Sequence, residues 1–319
     1  MGLQRGRQPA RRMRVRVRLQ RRRVDNAVGL HTVRDVEADV IGCGDVRRGV
    51  SASSEDGVEA ALSALIENTL FGVRDKVAIA IERMREFEPP EGYYLAYSGG
   101  KDSDVILNLA RSGGIKFDAH HSLTTIDPPE LVYHVRKQRD VVIDHPPKPF
   151  LVRLIEKGFP QRHRRWCCEE YKERGGHGRF VLTGIRSAES SQRARRAMVE
   201  TCFRDISKRY LHPIIDWTDA DVWEYLRGNS IEYCSLYDEG WKRIGCLFCP
   251  MASSQRKLHA ARYPRYEQAF IRAFCRFHAL GRESSKRWGS GEEMFRWWMD
   301  DNRKGIDKDQ LMMFENGED

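Results

Sequence analysis

Six consecutive residues have the types needed to bind a phosphate group: Ser98-Gly99-Gly100-Lys101-Asp102-Ser103. The two glycines let backbone N–H groups approach an anion and tolerate the positive φ angles of an anion-binding nest. A helix predicted to begin at Asp102 would point its first N–H groups at the same anion. The serine hydroxyls can donate hydrogen bonds, the lysine can neutralise phosphate charge, and the aspartate can cap the helix or hold Mg²⁺. The segment therefore predicts a pyrophosphate-binding loop, although it lacks the Gly-x4-Gly-Lys-Ser/Thr pattern of the common P-loop.

Polar residues also follow two other predicted strands. Thr125 and Asp127 come after one of them, and Gly184 and Arg186 come after another. The carboxyl ends of parallel strands meet at one edge of a sheet, where such sheets bind ligands. The guanidinium of Arg186 presents a planar fork of donors suited to phosphate or sulfate. These residues are candidates for a ligand site, and Asp127 is also placed to cap the helix that Pro128 opens.

Two close pairs of cysteines, Cys167-Cys168 and Cys246-x-x-Cys249, stand out among the eight cysteines of the chain. In a chain of this size such pairs indicate metal or cluster binding rather than structural disulfides. Four thiolates suit a [4Fe–4S] cluster or a Zn²⁺ ion. Zinc sites usually have two spaced Cys-x2–4-Cys pairs, and the adjacent Cys167 and Cys168 fit that geometry poorly. The spacing alone leaves a cluster, a zinc ion and free thiols open.

Strands and helices are predicted to alternate around these residues. Strands are predicted at 93–97, 117–123, 141–143 and 179–183, helices at 102–111, 128–135, 150–157 and 219–227, and an extended segment at 211–215. Strands separated by helices imply a mostly parallel sheet with helices on both faces. We therefore expect an α/β, doubly wound fold. Further helices are predicted over residues 58–87, 255–277 and 292–300.

The charge of the chain is concentrated at its N-terminus. The 319 residues carry a net charge of +9, and residues 1–50, with 13 Arg, no Lys and 5 acidic residues, supply +8 of it. We predict a disordered Arg-rich arm at 1–55, a nucleotide-binding domain with the four-cysteine site at 56–250 and a helical extension at 251–319. The arm is suited to nucleic acid, or it is a solvated tail or translated upstream sequence. No stretch approaches the ~18 apolar residues of a membrane span, and the apolar core of a secretory signal is missing, so we expect a cytoplasmic protein.

Several motifs occur in the order typical of one family. They are Tyr97–Ser103, Leu182–Arg186 with Glu189, Ser190 and Arg193, Pro213–Tyr225, and Leu236–Gly240 followed by Ile244–Cys246. Over roughly residues 75–255 the chain resembles the phosphoadenosine phosphosulfate (PAPS) reductase family of the PP-loop adenine nucleotide α-hydrolase superfamily. Residues 86–94 and 124–131 resemble the phage and mobile-element branch, which is related to DNA phosphorothioation proteins.

The resemblance implies a Rossmann-like fold of the adenine nucleotide α-hydrolase type. It implies that an adenine nucleotide contacts Ser98, Gly99, Gly100, Lys101, Asp102, Ser103, Thr125, Asp127, Gly184, Arg186 and Arg193, with the two arginines facing its anionic end. It also favours a [4Fe–4S] cluster on Cys167, Cys168, Cys246 and Cys249 over zinc. The nucleophilic cysteine that sulfonucleotide reductases carry near the C-terminus has no counterpart, because no cysteine follows Cys275.

These patterns favour an enzyme that binds ATP or a related adenylyl nucleotide with Mg²⁺ and cleaves its α–β phosphate bond to activate an acceptor as an adenylate. Lys101, Asp102 and Arg186 would be catalytic, and the cluster would serve sulfur chemistry. The alternatives are a true PAPS or adenylyl sulfate reductase, and a non-catalytic nucleotide- or nucleic-acid-binding accessory of a mobile-element defence system. The partners expected are an adenine nucleotide, a sulfur-donor protein and nucleic acid through the arm, with homodimerisation left open.

Overall fold

The computed structural model describes residues 63–70, 72–252 and 255–300, so the predicted arm at 1–55 lies outside the described residues. The strands are β1 Ile66–Thr69, β2 Gly72–Asp75, β3 Tyr93–Ala96, β4 Phe117–Ser122, β5 Val141–Asp144, β6 Phe180–Leu182, β7 Val199–Thr201 and β8 Arg209–Leu211. The helices are α1 Lys76–Glu86, α2 Lys101–Ser112, α3 Pro129–Lys137, α4 Phe150–Lys157, α5 Trp166–Tyr171, α6 Asp219–Gly228, α7 Gln255–Arg262, α8 Pro264–Ala279 and α9 Gly291–Met299. Of the helices within these ranges, none is both long and apolar enough to cross a membrane.

Six strands form the central sheet in the order β5-β4-β3-β6-β8-β7. All neighbouring strands are parallel except β7, which runs antiparallel to β8 at one edge. The chain passes outward from β3 through β4 to β5 and then returns to β6 on the other side of β3, which makes the β3/β6 boundary a topological switch point. The predicted α/β, doubly wound, mostly parallel sheet is therefore confirmed, and the segments following β3 and β6 flank the crevice where such sheets bind ligands.

Two hydrophobic cores hold this arrangement. The first packs the sheet against α1, α2 and α6, and its members Leu95, Leu182 and Leu211 are fully buried. The second packs α8 and α9 onto α4, α5 and the turn that carries Cys246 and Cys249, and it includes Leu154 and Phe274. The helical C-terminal part is therefore present, and it shares its apolar interior with residues of the sheet domain.

Some predicted elements were wrong. Among the described residues, the helix predicted over 58–87 is helical only at Lys76–Glu86, because β1 and β2 form an antiparallel hairpin before it and the Asp75 side chain caps the helix by accepting from the amides of Val77 and Ala78. The helix predicted over 255–277 is divided, because Pro264 has no N–H to continue α7 and instead opens α8.

Other boundaries also moved. The extended segment predicted at 211–215 ends earlier, since β8 stops at Leu211 and a turn follows. The short elements β7 and α5 were not predicted, because three to six residues carry too little periodicity to reveal them.

Candidate functional site

The loop from Ser98 to Ser103 connects β3 to α2 at the switch point. Gly99 has φ +75°, and a Cβ there would lie 2.7 Å from Leu131 Cδ1, so the loop requires glycine for both its conformation and its packing. Gly100 is the N-cap residue of α2 and provides no side-chain cap. The Ser103 hydroxyl donates to the Gly100 carbonyl at 2.7 Å, which braces the turn. The N-cap residue of α2 therefore leaves the first N–H groups of the helix to other partners, and a helix N-terminus favours an anion.

One loop amide already has a partner. The Lys101 N–H donates to the Tyr237 hydroxyl at 3.1 Å, so this tyrosine covers part of the loop. Tyr237 lies in the motif Leu236–Gly240, but its contact with the loop could not be read from the sequence because 136 residues separate the two partners.

Four charged side chains form a network beside the loop. Lys101 Nζ lies 2.9 Å from Asp219 Oδ1 and 3.4 Å from Asp102 Oδ2. Arg186 Nε donates to Asp102 Oδ1 at 2.6 Å, and its Nη2 donates to Asp219 Oδ1 at 3.1 Å. The third contact of Arg186 is from Nη1 to the Trp217 carbonyl at 3.3 Å. Two cations and two carboxylates thus join the phosphate loop to β6 and α6.

The two cations of this network are buried, whereas one of its carboxylates faces solvent. Lys101 is 6% exposed and Arg186 is 2% exposed, whereas the Asp219 side chain is 64% exposed. Burial opposes ionisation of Asp219, but the hydrogen bond and charge of Lys101, together with Arg186, hold its pKa below the usual value. Asp219 therefore presents an ionised carboxylate to solvent, while the cations behind it are fixed in place.

Arg186 and Gly184 both lie against the loop. A Cβ at Gly184 would approach the Asp102 carbonyl oxygen to 2.7 Å, so the end of β6 packs directly on the first turn of α2. Arg186, predicted to face an anion, instead has its guanidinium engaged by Asp102, Asp219 and a carbonyl. A direct contact between Arg186 and a nucleotide stays a prediction.

Arg193 is more exposed than Arg186. Its guanidinium pairs with Glu189, whose carboxylate also accepts from the Arg186 amide at 3.0 Å. Arg193 is thus linked to the backbone of Arg186 through Glu189, and its side chain is about one-third exposed.

Thr125 and Asp127 occupy the loop after β4. Asp127 is buried, and its carboxylate accepts from the Thr124 amide at 2.7 Å rather than capping α3, whose N-cap is Pro128. Thr125 has φ +65°, and its hydroxyl accepts from the Phe150 amide at the start of α4 at 2.9 Å. Asp127 acts electrostatically on Lys172 and Cys246, so this loop reaches the cysteines, and its predicted contact with a nucleotide stays a prediction.

The two cysteine pairs converge. Cys167, Cys168, Cys246 and Cys249 all line one cavity of about 30 Å³, together with Thr124 and Lys172. The first pair lies at the start of α5. The second lies on a turn in which Phe248 has φ +57° and the Leu247 amide donates to the Ile126 carbonyl at 2.8 Å. Seventy-eight residues separate Cys168 from Cys246, so only the fold brings these sulfurs to one cavity.

The pKa values of the groups around this cavity are shifted in different directions. The hydrogen bond from Cys167, with Lys172 and Arg165 nearby, lowers the pKa of Cys168 to about 6, while burial raises the pKa of Cys246 to about 11. The charges of Cys246, Asp127 and Cys249 raise the pKa of Lys172 above its usual range. Within the described ranges no three or more His, Cys, Asp or Glu side chains are grouped to hold a metal ion. The cysteines thus share a cavity without forming a closed coordination sphere.

A buried polar cluster lies beneath the loop, and the sequence did not reveal it. Asp104 Oδ1 accepts from the Tyr97 hydroxyl at 2.5 Å and contacts His134 Nε2 at 2.9 Å. Burial raises the pKa of Asp104, although its bonds with His134 and Tyr97 oppose that rise. The cluster ties α2 and α3 to the end of β3. Asp219 and Lys172 were missed as well, because their partners are remote in sequence, although the start of α6 at Asp219 was predicted correctly.

Residues 92–252 match the model of the phosphoadenosine phosphosulfate reductase domain. An uncharacterised protein of Methanocaldococcus jannaschii is 29% identical over 195 residues, which are 57% of this chain and 47% of that protein. A probable FAD synthase of Caenorhabditis elegans is 29% identical over 172 residues, 52% of this chain and 31% of that protein. The chain therefore spans less than half the length of each of these relatives. The crystal structure of phosphoadenylyl-sulfate reductase from Candida auris aligns with a TM-score of 0.43 at 22% identity, over 52% of this chain and 87% of that one.

Proposed function

The chain belongs to the phosphoadenosine phosphosulfate reductase domain family, and on that premise we propose that it binds ATP or a related adenylyl nucleotide at Ser98–Ser103 and cleaves the bond between the α and β phosphates. The observation that carries the proposal is the network of Lys101, Asp102, Arg186 and Asp219 beside the N-terminus of α2 at the switch point. A buried, preorganised cation at that position is suited to the charge of a leaving pyrophosphate.

In the proposed reaction an acceptor oxygen attacks the α phosphorus, the bridging P–O bond to the β phosphate breaks, and pyrophosphate leaves with the bonding electrons. The acceptor proton passes to solvent, and the acceptor becomes an adenylate. The Lys101 ammonium stabilises the negative charge that develops on the leaving group. Asp102 and Asp219 are the carboxylates that would hold Mg²⁺, which would neutralise polyphosphate charge when bound.

Arg186 is assigned to positioning in this proposal. Its three contacts keep Asp102 and Asp219 at fixed separation, and those carboxylates in turn hold the Lys101 ammonium. Without the Arg186 guanidinium, Asp102 and Asp219 would share Lys101 as their single cation. The loop would then lose the geometry needed for reaction, even if the guanidinium does not contact phosphate.

We also propose that the cysteine cavity holds a [4Fe–4S] cluster. Four sulfur donors line one cavity, and Lys172 and Arg165 supply compensating positive charge. Cysteine thiols are the donor type that such a cluster takes, and when bound the cluster would supply sulfur chemistry for transfer to the adenylate.

The test of the nucleotide proposal is release of pyrophosphate and AMP from ATP with water as acceptor. We expect Lys101→Ala to lower the rate about 100-fold, the loss typical when one preorganised charge stabiliser is removed. Lys116→Ala, which removes an exposed lysine immediately before β4, is the matched control and should leave the rate unchanged. Equal rates in wild type and Lys101→Ala would contradict the proposal.

The same preparation separates the alternatives. Sulfite release from phosphoadenylyl sulfate in the presence of thioredoxin, without pyrophosphate release from ATP, would make the protein a reductase. Thermal stabilisation by ATP without either product would make it a nucleotide-binding accessory.

A further inference from the structure

An open groove of about 720 Å³ lies between two segments of the second core. One wall is the end of α4 and the loop Gly158–Trp166, and the other is the end of α8 with the turn that precedes α9. Neither wall contains a residue of the phosphate loop or its charged network. The groove is therefore separate from the candidate nucleotide site.

Aromatic faces line the groove. Phe159, Trp166 and Trp288 are among its lining residues; Phe159 and Trp166 are half-buried, whereas Trp288 is only 7% exposed and its ring is covered by the Arg287 guanidinium. Trp297 is 40% exposed and lies 6.0 Å from Phe159 between ring centroids, but it does not itself line the groove. The half-buried rings of Phe159 and Trp166 are the candidates on which planar bases would stack, and stacking is tolerant of base identity.

The cations of the groove are unusually concentrated. Residues 157–168 contain one Lys, three Arg and one His but no acidic residue, whereas residues 51–319 carry a net charge of only +1. Within the described part of the chain, no carboxylate pairs with Arg164 or Arg287. The Arg287 guanidinium lies 3.9 Å from the Trp288 ring centroid and 4.4 Å from that of Trp297. The acid on the other wall, Glu283, is already paired with Lys286.

We propose that this groove binds single-stranded nucleic acid, with bases stacked on its aromatic faces and phosphates paired with Arg164 and Arg287. Exposed basic residues continue beyond the groove through Arg162 and Arg165, so the positive surface is longer than one nucleotide needs, and this favours a polynucleotide over a mononucleotide. Trp166 is followed directly by Cys167, so a bound strand lies next to the wall of the cysteine cavity.

The test is the anisotropy of fluorescein-labelled single-stranded 20-mers, oligo-dT and oligo-U, titrated with the full chain in the absence of ATP. We expect Arg164→Glu and Arg287→Glu each to weaken binding roughly tenfold, and to lower the slope of log affinity against log salt by about one. The matched control is Arg139→Glu, the same charge change at an exposed residue between α3 and β5, and it should bind like wild type. Thermal melting of each variant establishes that it is folded.

Three results would overturn the proposal. Equal affinity of Arg164→Glu, Arg139→Glu and wild type would assign strand binding to another surface, such as residues 1–55. Equal affinity for a 20-bp duplex would exclude base stacking, and Arg164-dependent binding of AMP without binding of a 20-mer would make the groove a mononucleotide site. Lys101→Ala should bind the 20-mers normally, so failure of the phosphate-loop proposal is distinguishable from failure of this one.

Discussion

Replacement of Arg186 by methionine tests whether the charged network holds the phosphate loop. The guanidinium is 2% exposed and donates to Asp102, Asp219 and the Trp217 carbonyl. Methionine has a similar length but no donor, so the variant leaves Asp102 and Asp219 with Lys101 as their shared cation and leaves a carbonyl without its partner.

The size of the effect follows from the exposure of the partners. Breaking a fully buried ion pair costs about 3–5 kcal/mol. The Asp219 side chain is 64% exposed and that of Asp102 is 21% exposed, so solvent recovers part of the loss. We therefore expect the free energy of unfolding to fall by about 2 kcal/mol, which corresponds to a Tm lower by about 4–8 °C in a domain of this size.

Urea unfolding followed by tryptophan fluorescence measures the change, with Arg83→Met as the matched control. Arg83 also forms a two-pronged pair, with Asp216, and donates to the Pro213 carbonyl, but Asp216 is 41% exposed, so its loss should cost about 1 kcal/mol or less. Arg186→Met should also abolish the stabilisation by ATP, which Arg83→Met should retain. An Arg186→Met protein that unfolds like wild type and still releases pyrophosphate would refute the reasoning.

Three further predictions concern other parts of the molecule. Gly184→Ala should lower the free energy of unfolding by about 1–3 kcal/mol and weaken ATP binding, because its Cβ would meet the Asp102 carbonyl, whereas Gly245→Ala has open space and should be neutral in the same melting experiment. Burial lowers the pKa of His259 to about 4, and its Nδ1 accepts from the Phe248 amide at 2.9 Å, so the stability that neutral His259 contributes is complete above pH 6.5 and is lost as the pH falls towards 4. Urea unfolding at pH 7 and pH 5 should show that fall in wild type and a smaller one in His259→Gln, and equal falls would contradict the assignment. Iron and acid-labile sulfide should be present in an anaerobic preparation, be lost in Cys249→Ala and be retained in Cys275→Ala, while iron-free wild type would exclude the cluster.

The local signals of the sequence predicted much of the framework. Helix α4 begins and ends where the sequence predicts, at Phe150 and Lys157, because Gly158 with φ +85° terminates it. The Thr218–Asp221 capping box fixes the start of α6, since each of its hydrogen bonds joins residues three apart. The strand–loop–helix around Ser98–Ser103 was predictable for the same reason, because glycine conformation and helix capping depend on immediate neighbours.

The errors arose where local patterns were ambiguous. Apolar residues interleaved with charges between residues 58 and 87 suit a helix, yet the hairpin of β1 and β2 forms because strand pairing satisfies the same backbone groups. Pro264 was a local signal that the helical periodicity around it concealed.

The sequence by itself determined the strand–loop–helix at Ser98–Ser103, the alternation of strands and helices, and the presence of four cysteines in two pairs. Only the tertiary structure decided which other residues they contact. Arg186 and Asp102 are 84 residues apart, and the cysteine pairs are nearly as distant, so their contacts depend on the order of strands in the sheet. The physical reason is that φ and ψ preferences and capping act within a few residues, whereas ion pairs and shared cavities form between segments that packing of the two cores brings together.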